Sequence, residues 1–175
     1  MRVFLVGMHR SGTSALARVL NLMGLHLGLE DELMPAKPDN PAGFWERVDV
    51  QELNEEVMTA LGGAWHTVLA DDVARLSPAD RRRFARGARA ILRRLAPHRP
   101  WLVKDPRLCL LLPLWLEQAG EAAAVLIVRR PLQVAQSIAT RNGFPIPVGV
   151  ALWEEHTLAA LRHTAGIPRL LVAHH

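Results

Sequence analysis

The stretch Gly7-Met8-His9-Arg10-Ser11-Gly12-Thr13-Ser14 gathers two glycines, a guanidinium and three hydroxyls within eight residues. It follows the apolar run Val3–Val6 and precedes a helical pattern. At such a junction a glycine-rich turn can aim backbone N–H groups at an anion. The helix N-terminus then adds about half a positive charge. Three other places carry chemistry. Arg129 follows the apolar run Ala124–Val128, with Ser137 eight residues on. A guanidinium makes paired, charge-assisted bonds to phosphate, and a hydroxyl on the next helix supplies another donor. Lys104-Asp105-Pro106-Arg107 follows Trp101–Val103, and Glu46 closes Gly43-Phe44-Trp45-Glu46, where apolar neighbours can raise a carboxyl pKa. Together these describe a polyanion site with a candidate proton acceptor.

The loop's glycine spacing is that of a nucleotide P-loop, but Thr13 stands where that motif requires lysine, and the cation has moved to Arg10. A nucleoside-triphosphate enzyme also wants a strand-end aspartate to help hold magnesium. Here Arg129 and Arg130 follow the apolar strand instead. Both departures favour a metal-free polyanion over magnesium–ATP. A Gly/Ser-rich turn that binds nothing is the purely structural alternative.

The elements that must hold these residues alternate. Strands are expected at Val3–Val6, Trp101–Val103, Ala124–Val128 and Arg169–Ala173, each a short apolar run. Helices are expected over Thr13–Met23, Asp49–Leu61, Leu111–Ala119, Pro131–Arg141 and Gly149–Ala165. Pro113 is expected to start or kink the third of these. Ser77-Pro78 opens a further, arginine-rich helix, and Leu25–Phe44 reads as irregular. Alternation of this kind predicts an α/β fold of three layers, a central parallel sheet of about four to five strands with helices on both faces. The site then lies at the carboxyl ends of the strands.

The 175 residues read as one domain, 1–175, with half of them hydrophobic and no apolar run near the ~20 needed to span a bilayer. One cysteine, Cys109, and no leader pattern at the N-terminus point to a cytoplasmic protein. The net charge of +4 invites a nucleic-acid reading, but seven arginines fall in Asp80–Leu95. Of these, Arg82, Arg86, Arg89 and Arg93 form a stripe opposite Phe84, Ala88, Ile91, Leu92 and Leu95. That is a solvated helix face without aromatic interleaving, so no nucleic-acid partner is expected. The face still suits an anionic acceptor or an acidic membrane surface.

Arg10-Ser11-Gly12-Thr13-Ser14 resembles the 5′-phosphosulfate loop of sulfotransferases that use 3′-phosphoadenosine-5′-phosphosulfate (PAPS). Arg129 and Ser137 have the spacing of that family's 3′-phosphate element, and Pro131 stands where the bacterial-type branch also has proline. Pro38–Glu46 is similar to the Pro-Asp-Asn-Pro-x-Gly-Phe-Trp-Glu segment of the same branch. The resemblance implies a P-loop-like fold and metal-free transfer of a sulfuryl group from PAPS to a hydroxyl or amine, leaving 3′,5′-ADP. It implies that His9, Arg10, Ser11, Gly12, Thr13, Ser14, Arg129 and Ser137 bind the donor, with Arg10 and Lys104 stabilising transferred charge. Glu46 is the implied general base, with Glu30, Asp31, Glu32 and His9 as rivals. Acceptors in the family are carbohydrates, lipids, peptides and small alcohols or phenols. Trp45, like the other tryptophans, reads mainly as a core residue, with a wall of the acceptor pocket as its alternative. Family members usually continue beyond the last strand, so a trimmed or fragmentary chain is expected. Two other readings stay open: a module that binds PAPS or 3′,5′-ADP without transfer, and a kinase with a degenerate loop.

Overall fold

A computed structural model describes residues 1–38 and 40–175. The strands β1 (Arg2–Val6), β2 (Trp101–Lys104), β3 (Ala123–Arg129) and β4 (Arg169–His174) form one parallel sheet in the order β2-β1-β3-β4. Six helices join them: α1 (Thr13–Leu22), α2 (Val48–Ala60), α3 (Pro78–Leu95), α4 (Leu108–Ala119), α5 (Pro131–Asn142) and α6 (Ile146–His163). Among the described residues no helix is long and apolar enough to cross a membrane.

The strands read as unbroken apolar runs because both faces of the sheet are covered. Successive side chains alternate. Phe4, Val6, Trp101, Val103 and Leu126 join the larger core, with α2, α3, α4 and α6. Val3, Leu5, Leu102, Val125 and Ile127 face the other way, onto Ala17 of α1 and Leu25 and Leu27 beyond it. The fold is therefore the expected α/β sandwich, with four strands.

α3 obeys its sequence signals. Ser77 Oγ accepts from Asp80 N at 3.1 Å and Pro78 opens the helix, while Phe84, Ala88, Ile91, Leu92 and Leu95 are buried. α4 does not. It starts at Leu108, three residues before the expected Leu111, and carries Pro113 in its interior. A proline there cannot donate to the carbonyl four residues back, which is that of Cys109. His163 at the end of α6 fills the gap, its Nδ1 lying 2.9 Å from Cys109 O. The lost helical bond is replaced by a side-chain bond from a neighbouring helix.

α5 and α6 pack so closely that a Cβ built on Gly149 would lie 2.8 Å from Cα of Ala135. Backbone at that distance cannot yield as a flexible side chain would. Gly149→Ala is expected to lower stability by about 1–3 kcal/mol, the usual range for overpacking. Urea unfolding should show an earlier midpoint at unchanged slope; a midpoint like that of the parent would mean the two helices are free to separate.

Candidate functional site

The turn between β1 and α1 bends through two left-handed residues, Arg10 (φ 68) and Gly12 (φ 91). Ser11 N donates to Met8 O at 3.2 Å, and no side chain caps the N-terminus of α1. Its first amides are therefore open to an anion. Gly7 is required sterically, since a Cβ there would sit 2.6 Å from Ile127 Cγ2 and 2.8 Å from Ile127 O. The loop is pressed against β3. At Gly12 a Cβ would meet His174 Nδ1 at 2.7 Å, and that nitrogen lies 3.1 Å from Ser11 O. The end of β4 thus leans on the same turn. Ser11 Oγ is buried and has no hydrogen-bond partner among the described residues.

The sequence elements that looked separate come together here. Arg10 Nε donates to Ser137 Oγ at 2.8 Å, so α5 contributes directly to the loop's surroundings. From the end of β3, Arg129 Nη1 donates to Arg10 O at 3.1 Å while its Nε donates to Gln133 Oε1 at 3.0 Å. On the other side of the loop, at the end of β2, Lys104 is buried and donates to Ser14 Oγ at 3.2 Å and Phe44 O at 3.0 Å. It is also ion-paired to the buried Glu46 carboxylate. Asn40 Nδ2 donates to the same Ser14 Oγ at 3.2 Å. The Pro38–Glu46 segment thus packs against the loop, with Asp39 outside the described residues. Burial pushes the Glu46 carboxyl above its ordinary 4.5, against the pull of Lys104.

Two cavities open around these groups. One, of about 220 Å³, is lined by Arg10, Gly12, Thr13, Ser14, Asn40 and Arg129. The other, of about 340 Å³, shares Arg10, Thr13, Ser14 and Asn40 with it and extends past Glu46 and Lys104 to Arg107, Gln51 and Arg141. A larger cavity, about 610 Å³, lies between α2 and α3 and touches none of the loop residues. Chemistry, not size, locates the site.

Other candidates fall into place. His9 lines the larger of the two clefts, with its ring 4.3 Å from that of Trp65. Burial, aided by Arg141 and Arg107, holds its pKa well below 6.5, so it is neutral at physiological pH. Its Nε2 is buried without a hydrogen-bond partner among the described residues. Glu32 is committed to Arg47 at 2.7 Å, which lowers its carboxyl to about 2 and removes it as a base. Glu30 and Asp31 do not line the cleft. Nor does Trp45: with φ 57 it turns out of the cleft beneath Arg18, 4.4 Å from the ring centroid, and Phe44 takes the lining position. Asp105 orients Arg107, accepting from its amide at 2.7 Å and its Nη1 at 2.9 Å. Gln51, Arg141 and Asn142 were not among the sequence candidates, because only tertiary packing brings them to the cleft.

Comparison with known proteins decides the family. The model of the sulfotransferase family matches residues 2–167. The chain belongs to the sulfotransferase family. No curated protein sequence matches. Among solved structures, a sulfotransferase from Mycobacterium tuberculosis H37Rv is similar in fold, with a TM-score of 0.50 at 17% identity. The alignment covers 98% of this chain and 61% of that one, so the chain spans about three fifths of that sulfotransferase's length. Sulfotransfer is the activity for which that family is named.

The Lys104–Glu46 pair yields a test. Breaking a buried pair by removing one partner typically costs about 3–5 kcal/mol. In Lys104→Met the largest influence lowering the Glu46 pKa is lost, while burial and Asp105 still raise it and Arg107 lowers it only weakly, so its folded-state pKa rises further. A carboxyl with a raised folded pKa binds its proton more tightly when folded, so its stabilising effect is complete at low pH and is lost as pH rises through that pKa. Urea unfolding should show a larger deficit against the parent at pH 8 than at pH 5. An equal deficit at both would mean that Glu46 does not depend on Lys104.

Proposed function

We propose that this sulfotransferase takes its sulfuryl group from PAPS and passes it, without a metal ion, to a hydroxyl or amine of a polar acceptor. The observation that carries this reading is the meeting of two cavities on one anion-binding loop, with Arg129 beside one and Glu46 and Lys104 beside the other. One cavity suits a donor and the other an acceptor. The uncapped start of α1 and the left-handed Gly12 fit a phosphosulfate group.

In this reading Arg129 and Ser137 hold the 3′-phosphate of the donor. Arg10, bonded to Ser137, spans the boundary between that phosphate and the phosphosulfate. The amides and hydroxyls of Ser11, Gly12, Thr13 and Ser14 hold the phosphosulfate, with His9 at the edge of the loop. PAPS supplies the sulfuryl group and a good leaving phosphate. Glu46 accepts the proton of the acceptor as its oxygen or nitrogen bonds to sulfur. The bond from sulfur to the 5′-phosphate oxygen breaks, and 3′,5′-ADP leaves. Lys104 counters the charge that develops on the sulfonate and leaving oxygens. Because Lys104 and Glu46 are bonded to each other, drawing Lys104 toward the sulfonate frees the carboxylate for the acceptor. Asp105, one residue past the end of β2, is already held by Arg107 through both oxygens, which favours cationic over magnesium-based charge stabilisation. The acceptor cleft is lined by Asn40, Gln51, Asn142, Lys37 and Arg141, which favours a hydroxyl-rich polar acceptor over a flat phenol.

Calorimetry with 3′,5′-ADP in metal-free buffer tests the donor assignment. It should bind much more tightly than 5′-AMP, and Arg129→Ala should weaken it about tenfold or more, the worth of a charge-assisted bond. Equal affinity for the two nucleotides would remove the 3′-phosphate assignment. Glu46→Gln tests the base: 3′,5′-ADP affinity should persist while transfer from PAPS falls by roughly 10²–10⁴. Transfer at the parent rate would move the role to another group, with His9 next. Tight 3′,5′-ADP binding by the parent without transfer to any acceptor would mark a binding module.

A further inference from the structure

The opposite end of the sheet carries a second concentration of positive charge. Arg2 opens β1 and pairs in register with Trp101, the first residue of β2. Around this first rung Arg2, Arg89, Arg93 and Arg99 line a pocket of about 220 Å³ that contains no aspartate or glutamate. They come from a strand, one face of α3 and the loop after it. A helical repeat alone cannot account for their convergence.

The arginines of α3 differ in their partners. Arg81, Arg83 and Arg94 pair with Glu117, Glu56 and Asp49 at 3.9, 3.2 and 2.5 Å. The four pocket arginines form no ion pair among the described residues. Two of them are nevertheless held in place by uncharged acceptors. Arg89 Nη1 donates to Gln118 Oε1 at 2.9 Å, and Arg2 Nη1 donates to Ala119 O. Gly120, at φ 67, leaves room for the latter, since a Cβ there would lie 3.1 Å from Arg2 Nη1. A guanidinium has five N–H donors, so each anchored arginine keeps most of them for something else.

We propose that this pocket is a second anion site, which takes a tetrahedral oxyanion: sulfate or phosphate, free or as the ester of a small organic group. Forked guanidinium donors match the oxygens of such anions in pairs. An anion would also relieve the mutual repulsion of four like charges. Leu92 and Trp101 supply an apolar wall against which a small organic remainder can rest. The site is separate from the cleft, because Trp101 and Lys104 lie at opposite ends of β2, about 10 Å apart at ~3.3 Å per residue. It does not rest on the assignment of PAPS.

The test is calorimetric titration with inorganic phosphate and with glycerol 3-phosphate at constant ionic strength. The parent is compared with Arg89→Ala/Arg93→Ala and with Arg10→Ala/Arg129→Ala. Arg89 and Arg93 are exposed, so their removal leaves the core intact. The expected result is a saturable phosphate site that is weakened about tenfold or more in the first variant and retained in the second, in which any phosphate held by the loop after β1 is lost. Tighter binding of the ester would identify a small phosphoester as the ligand, and equal binding a bare oxyanion. The proposal is overturned if phosphate binding is unchanged in Arg89→Ala/Arg93→Ala, if the Arg10/Arg129 variant abolishes all of it, or if the parent does not saturate.

Discussion

One buried ammonium group holds the candidate site together. Lys104 Nζ reaches Ser14 in the first turn of α1, Phe44 O in the segment after that helix, and the Glu46 carboxylate. A charge taken out of water is costly unless it is surrounded by acceptors. Lys104 therefore imposes a geometric condition on three chain segments at once, and no single one can move without leaving it underbonded. Between Pro35 and Glu46 the described residues have little regular structure. Its closing residues owe their position largely to this one group.

The second constraint is the closeness of the loop to β3 and β4. Gly7 lets the turn lie against Ile127, and Gly12 lets His174 approach from the end of β4. With those contacts made, Arg129 at the end of β3 is near enough to bond to Arg10 O, and Ser137 at the second turn of α5 is near enough to accept from Arg10. The guanidinium groups are fixed by strand ends and a helix, not by long loops, and such elements hold side chains more precisely.

Much of this was legible in the sequence for simple reasons. Buried parallel strands must be apolar throughout, so the four runs stood out, and a proline or a capping serine marked the helix starts at Pro78 and Pro131. The chemistry of the loop could be read because its residues are consecutive. Pro113 misled, because proline is normally excluded from a helix interior and the compensating His163 is fifty positions away. Trp45, read mainly as a core residue, packs against the smaller core, and only its alternative place in the cleft fails. The bond between Lys104 and Glu46 could not be read at all: both were candidates, but nothing local links residues that far apart. The cleft positions of Arg141 and Asn142 depend on where the last turn of α5 comes to rest, which only packing decides.

The exchange at Pro113 has an evolutionary corollary. While His163 serves Cys109 O, the proline is tolerated; while the proline is present, the imidazole has a task that few other side chains of its reach can perform. Restoring an N–H at position 113 would give that carbonyl a second suitor and leave the histidine redundant. The two positions are therefore bound by epistasis. In homologous chains, a helix-forming residue at the first should go with relaxed selection at the second, whatever the acceptor each enzyme has come to use.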